Sequence, residues 1–299
     1  MDNISLLTMA PVLNVQLLVD GLLIGAIFAL VAYGLALVWG VTNVKNLAQG
    51  DFVMMGGYIA YAMTLAGIHP FLALPVAIVL MFAFGWLIYK TVIYRVVDKD
   101  LFTSLLATFG IAIVVQQLLN LIFGPEVKIA ESGFGIGEYL DGGLTVSNIK
   151  VIAFFLALAL ALVVVLFMKK SRMGQAIRAT SQNARAARIM GIDTDKVYAI
   201  TFALNAAICG AAGVLISMIW VIQPYFGTSY SIRAFVIVTA AGLGNLPGVI
   251  MAGLGLGALE QFGSFILGAE FQQAIVVGLL LVILVIRQIQ QSRHRQVVK

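Results

Sequence analysis

Apolar residues in this chain run in blocks of roughly twenty, separated by short polar or charged clusters, rather than alternating or recurring along one helical face. Inside a bilayer a helix satisfies its own backbone, and about 20 apolar residues cross the roughly 30 Å hydrocarbon layer. On that length the sequence predicts spans at Gln16–Val41, Phe52–Ile68, Phe71–Tyr94, Leu101–Phe123, Val151–Met168 and Val197–Ile222. The stretch Phe235–Leu267 is too long for one helix and carries Gly-Leu-Gly-Asn-Leu-Pro-Gly at 242–248. It reads as a half-helix Ile232–Leu243, a non-helical turn and a helix Val249–Phe265, followed by a last span Phe271–Ile286. The expected fold is all-α, a polytopic helical membrane protein of about 8 spans with at least one broken helix. All of it, residues 1–299, reads as a single transmembrane domain.

Composition agrees. The 299 residues are 62% hydrophobic and 10% charged, with a mean hydropathy of +1.05, which leaves too little polar surface for a water-soluble fold. The single cysteine, Cys209, sits in an apolar run as a packing residue. His69 precedes a proline and His294 lies in the charged tail, without metal-ligand spacing. No catalytic residue, metal site or phosphate-binding Gly-x-x-x-x-Gly-Lys-Ser/Thr loop is legible, so no cofactor is expected in this chain. The first basic residue is Lys45, so the first apolar block lacks the positive flank of a cleaved signal and is expected to remain a span.

The net charge of +5 raises the question of nucleic acid, and the positions of the charges answer it. Lys and Arg accumulate in cytoplasmic loops. With the N-terminus outside and the C-terminus cytoplasmic, Lys45, residues 90–99, residues 169–196 and the tail 287–299 hold every cation except Lys128, Lys150 and Arg233. The 124–150 loop is then external and acidic, with Glu126, Glu131, Glu138 and Asp141. The charge is a topology signal, and without interleaved aromatics the basic loops do not point to nucleic acid.

Three places depart from lipid-facing helix. The polar run Thr42–Asp51 is either a plain connection or a segment drawn to membrane depth, where irregular backbone needs cover from protein or a water-filled cavity. In the second case Asn46, Gln49 and Asp51 offer hydrogen-bonding groups near a translocation route. At 242–248, Gly242, Gly244, Pro247 and Gly248 leave backbone groups without helical partners. That stretch is either a tight turn or the kind of interruption that marks a transport site, with Asn245 as its polar member. Gly253, Gly255 and Gly257 suit close helix packing. Glu260 follows, and a carboxylate at the bilayer centre costs roughly 2.5 to 3.5 kcal/mol, so it should face protein, a cavity or the interface, with a structural hydrogen bond preferred to a solute contact.

The third place is the basic 169–196 loop, with Arg178, Gln182, Asn183, Arg185 and Arg188 in one or two short helices that end at Gly191. Asp193 or Thr194 can cap the next span. Its seven cations either anchor to anionic lipid headgroups or present a peg to a cytoplasmic partner.

The motifs together resemble the permease subunits of branched-chain amino-acid ABC importers, the LivH-type family, over nearly the whole chain. Asn46-Leu47-Ala48-Gln49-Gly50-Asp51 before Met54-Met55-Gly56-Gly57-Tyr58 is similar to the family's Asn-Phe-Ala-His-Gly-Glu before a Met-rich span, with Gln49 at the His position and Asp51 at the Glu position. Arg178-Ala179, Gln182-Asn183 and Gly191-Ile192 match its coupling-loop pattern. Arg233-Ala234-Phe235, then Ala241 to Gly248, then Glu260 match a third.

The resemblance implies a permease subunit of an ATP-driven importer in the bacterial inner membrane, forming a pathway for amino acids, branched-chain ones first. Two permeases, the second usually a different chain, would form the route. Two cytoplasmic ATPases carrying ATP and Mg would drive it, and an external solute-binding protein would deliver the solute. On this reading Asn46, Gln49, Asp51 and Asn245 lie near the route. Arg178, Gln182, Asn183, Arg185, Arg188 and Gly191 couple to the ATPases, and Gly242, Gly244, Pro247, Gly248 and Glu260 shape the broken segment. Relatives that carry urea or short amides keep those as alternative solutes. An ion-coupled secondary transporter is the rival from another class, but Glu260 alone is available as a deep relay, and an intramembrane enzyme lacks any nucleophile–base pair.

Overall fold

A computed structural model describes residue 7 and residues 10–97, 99–131, 133–139, 144–242 and 244–296. In chain order its helices are α1 (Pro11–Thr42), α2 (Gln49–Leu65), α3 (Ala73–Thr91), α4 (Leu101–Phe123), α5 (Asn148–Lys170), α6 (Arg172–Gln182), α7 (Ala184–Ile189), α8 (Thr194–Ile219), α9 (Gly227–Ala241), α10 (Leu246–Leu267) and α11 (Gln272–Gln296). A two-stranded antiparallel hairpin, β1 (Ile136–Tyr139) and β2 (Leu144–Ser147), interrupts the otherwise helical order, with Ile136 opposite Ser147. Leu243, Asp141 and Lys299, which bear on the expected half-helix end, the acidic loop and the tail, lie outside the described residues.

Among the described residues, seven helices are long and apolar enough to cross a membrane: α1, α3, α4, α5, α8, α10 and α11. Two of them form the centre. In α1 and α8, 89% of the apolar window is buried, against 28% or less in the other five. A helix apolar on every side is stable in water only at a core; here α1 and α8 take the core and the rest turn Leu, Val and Phe faces outward to lipid. Leu121, Phe102 and Val79 are among the most exposed.

Lipid tails are as apolar as leucine, so helices associate through close packing rather than through burial from water. Small residues make that possible here. A Cβ on Gly257 of α10 would overlap the Gly21 carbonyl oxygen of α1, and one on Gly25 would sit 2.6 Å from the Gly253 carbonyl oxygen. Between α2 and α8, Gly56 meets Gly210, and Gly213 meets the Val53 carbonyl. α1 thus packs against α10 and α8, while α8 also receives α3 and α2.

Two helices are too short. α2 has 17 residues and α9 has 15, spanning only about 25 and 22 Å at 1.5 Å per residue. Both therefore start inside the bundle, and α2 starts three residues earlier than expected, taking Gln49, Gly50 and Asp51 into its first turn. α9 starts five residues before the expected Ile232, so Arg233 lies well within the helix rather than at its start. α9 ends at Ala241 and α10 begins at Leu246, with Gly242 at φ 89° and Gly244 at φ 83° between them, so the broken stretch is two helices joined by a short connection.

At one end of the bundle the 124–147 segment is tied to α8: Lys128 and Ile222 exchange backbone hydrogen bonds of 2.9 and 2.7 Å, and Ala130 N–H donates to Ser217 O at 2.9 Å. Nearby, Lys150 of α5 pairs with Asp20 of α1 at 2.8 Å. At the other, basic end, Asp100 caps α4 by accepting from Thr103, and those hydrogen bonds hold its carboxyl below the ordinary value.

The glycine contacts make opposite forecasts for neighbouring positions. Gly257→Ala is expected to lose about 1 to 3 kcal/mol through overpacking, whereas Gly255→Ala, whose Cβ would meet nothing within 4 Å, is expected to gain up to about 1 kcal/mol from helix propensity. Thermal unfolding of the two variants in detergent should move in opposite directions.

Candidate translocation route and coupling surface

The polar run 42–51 re-enters the bundle. α1 ends at Thr42 with Asn43 in a left-handed conformation, φ 55°, and the chain then turns back toward the middle of α1. Gln49 Nε2 donates to the Val31 carbonyl at 2.9 Å, and Val31 lies eleven residues before Thr42, about 16 Å along the helix. Backbone at that depth has no water, so each exposed peptide group needs a protein partner. Neighbouring helices supply them. Ser231 of α9 accepts from Gly50 N–H at 2.8 Å and donates to Leu47 O at 2.9 Å. Thr108 of α4 accepts from Leu47 N–H at 3.2 Å and lies 3.3 Å from Lys45 O, and Asn46 Oδ1 accepts from Ala48 N–H at 3.1 Å.

Around this segment lies a buried polar cluster. Gln49 Nε2 reaches Cys209 Sγ at 2.9 Å, Cys209 donates to Asn205 Oδ1 at 3.6 Å, and Asn46 Nδ2 is 3.5 Å from Gln49 Oε1. Asp51 Oδ1 accepts from Gln116 Nε2 of α4 at 2.9 Å. A Cβ on Gly227 would strike the Asp51 carboxylate, so α9 can begin here only with glycine. Asn46, Gln49 and Asp51 are 0%, 0% and 1% exposed.

Two cavities lie along α1, one toward each end of the bundle. One, of about 440 Å³, lies between α1, α9 and α10 at the hairpin end, with Ile24, Phe28, Trp220 and Tyr230 on its wall and Arg233 and Glu260 among its lining. Arg233 Nε donates to both Glu260 oxygens, at 2.9 and 3.2 Å, and Nη2 adds a third bond. The guanidinium lies 5.1 Å from the Phe28 ring and 5.5 Å from Tyr230. The second cavity, of about 710 Å³, lies at the basic end between Trp39, Asn43, Met168, Ile177, Arg178 and Gly244. Along α1 the first reaches Phe28 and the second begins at Ala36. Eight residues, about 12 Å of helix, separate them, and Trp39 packs edge-on to Phe235 at 5.8 Å on the basic side.

The basic loop is a rigid elbow. Ser171 caps α6 by accepting from Gly174 N–H at 2.8 Å, and Arg178 donates to the Met168 carbonyl at the end of α5. Asn183 ends α6 and, through Oδ1 to Ala186 N–H at 2.9 Å, starts α7. Arg188 donates to Thr194 Oγ1 at 3.1 and 2.7 Å, joining α7 to α8. Gly191 follows at φ 84°. Gln182, Asn183, Arg185 and Arg188 are exposed, and Ile189 and Met190 project at 79% and 80% exposure.

Residues 17–285 match the family described as branched-chain amino acid transport system, permease component. The chain belongs to that family. Among its relatives, the permease BraD of Pseudomonas aeruginosa is 29% identical over 91% of this chain and 93% of its own length. LivH of Escherichia coli K12 is 29% identical over 91% and 92%, and the ribose import permease RbsC of Bacillus subtilis is 26% identical over 87% and 81%. No solved structure matches. A permease component of this kind is a multi-pass membrane protein and not itself an enzyme.

In this permease Asn46, Gln49 and Asp51 are brought together at membrane depth, each tied to protein, and none lines either of these cavities. Asn245 stands apart from them: exposed at the α9–α10 connection, it caps α10 by accepting from Gly248 N–H at 3.1 Å. It does not join the other three in one cluster, and its neighbours Gly244 and Leu246 line the cavity at the basic end. Glu260 has its structural partner, Arg233. Sequence reasoning missed Arg233, Ser231, Gln116, Thr108 and Asn205 as members of the buried network. Their signal is polarity inside otherwise apolar runs, Ser231 and Arg233 two residues apart in particular.

Ser231 holds two backbone groups at once, so Ser231→Ala is expected to cost about 1 to 3 kcal/mol for the unsatisfied pair. A melting temperature in detergent equal to wild type would mean the re-entrant segment is held by other contacts.

Proposed function

We propose that this chain is one permease subunit of an ATP-driven importer that carries branched-chain amino acids across the bacterial inner membrane. The observation that carries the reading is the pair of cavities along α1, one at the hairpin end and one at the basic end, kept apart by about 12 Å of packed helix. A transporter that alternates its access needs two vestibules and a short barrier between them. Asn46, Gln49 and Asp51 are proposed to set the height and stiffness of that barrier from within, next to the route rather than along its wall.

The basic end is proposed to be cytoplasmic, with the N-terminus and the hairpin outside, following the accumulation of Lys and Arg at that end. A second permease, in the family usually a different chain, would complete the pathway. An external binding protein would deliver solute to the hairpin face, and two cytoplasmic ATPases, holding ATP and Mg, would act on the elbow. Ile189 and Met190 with Arg185 form an apolar tip flanked by positive charge, suited to a groove with an acidic rim. Because α6 is bonded to α5 through Arg178 and α7 to α8 through Arg188, a displacement of the tip moves both spans. ATP-driven closure of the ATPases would then shift the balance between outward and inward access.

Proteoliposomes containing the complete importer should accumulate leucine only with ATP inside the ATPase compartment. Replacing Arg178 and Arg185 together by Glu is expected to abolish that uptake and the pull-down of ATPases while the chain still inserts and folds; undiminished ATPase association would remove the elbow from the mechanism. A cysteine at Arg185 should react with an impermeant maleimide from the cytoplasmic side alone, and labelling from outside would reverse the proposed topology.

A further inference from the structure

The Arg233–Glu260 pair is costly where it stands. Taking both charges out of water offsets most of their attraction, so a buried ion pair is weak evidence of a stabilising role. Ionisable groups retained at membrane depth face cavities and mark solute pathways, and both members of this pair line the cavity at the hairpin end. The guanidinium lies against the Phe28 and Tyr230 rings. Glu260 is 2% exposed, and Ser264, on the lining of the same cavity, has a buried hydroxyl with no partner. Ile24, Phe28, Trp220 and Phe226 form an apolar part of the wall, and Ser229, Gln261 and Gln272 line it elsewhere.

We propose that Arg233 and Glu260 form a recognition site for the charged end of an α-amino acid. The solute carboxylate takes the Arg233 donors, its ammonium takes Glu260, and the branched aliphatic side chain lies against the apolar wall. One internal pair is exchanged for two pairs with the solute, so no charge is left unmatched in the low-dielectric cavity. A carboxylic acid alone or an amine alone satisfies one partner and strands the other, and a neutral amide satisfies neither. The permease therefore adds its own test for a zwitterion to whatever selection occurs before delivery. This inference rests on the permease reading and assigns residues within it.

The double replacement R233M/E260L removes both charges together and keeps the volume, a change that leaves packing intact where a single replacement would strand a charge. In the complete reconstituted importer, with binding protein saturating, it is expected to assemble as wild type and to lower leucine uptake at least about tenfold, the scale of losing charge-assisted hydrogen bonds. Uptake within twofold of wild type would overturn the site while leaving the permease reading standing. Failure of the wild-type assembly itself to transport leucine would instead overturn the permease reading. A second measurement keeps the native pair and does not depend on delivery. Ser229→Cys, one turn before Arg233 on the cavity lining, is placed in the assembled importer in nanodiscs and reacted with a small water-soluble thiol reagent. Leucine should slow the reaction, and 4-methylpentanoate and isopentylamine should not. Equal protection by all three compounds, protection by none, or no reaction at all overturns the proposal.

Discussion

A peptide group drawn into a membrane without a helical partner must find one in the protein, and this requirement fixes the centre of the molecule. The stretch from Val44 to Ala48 is non-helical and largely withdrawn from the surface. It is held because Ser231, Thr108 and Asn46 reach its backbone and Gln49 reaches that of α1. Those side chains come from different helices, so α1, α4 and α9 are fixed relative to one another by the same few hydrogen bonds. The shortness of α2 and α9 follows, since both begin where this segment ends its descent.

Close helix approach does the rest. Glycines facing across α1 and α10 bring the two backbones near enough that α9, joined to α10 by a short connection, is folded against α1 as well. That triple contact builds the wall of the cavity at the hairpin end, and α1 continues from it into the cavity at the basic end. Each cavity has a different chemistry, with an ion pair under aromatic faces at one end and the joints of α1, α5 and α6 at the other. A modest relative movement of α1 against α9 and α10 would change the depth of both together.

Much of this was legible in the sequence. Block length located the long helices, Leu101–Phe123 to the residue, because hydrocarbon thickness fixes how many apolar residues a helix needs. Gly191 and Asp193 marked the end of α7 and the start of α8 through backbone conformation and capping. Helix ends set by partners elsewhere in the chain were not legible. Nothing local to Gln49 announces that α2 starts there, because the acceptor for Gly50 N–H is Ser231, 181 residues away. The Arg233–Glu260 pair was not legible for a similar reason, since its members are 27 residues apart and on different helices. Asn245 caps α10, a role its sequence context did not separate from a solute contact, since both ask for the same polar side chain.

The attachments of α8 have a mechanical consequence. At its basic end Thr194 is clasped by Arg188, and beyond its far end Ile222 is stitched to Lys128 as Ser217 is to Ala130. A helix of 26 residues, about 39 Å long and buried on all sides, is a stiff strut pinned at each tip to a surface feature. Load applied to the elbow and load applied to residues 128–130 are carried by one member, so signalling across the bilayer can run as the thrust of a single rod, with no chain of side-chain rearrangements in between.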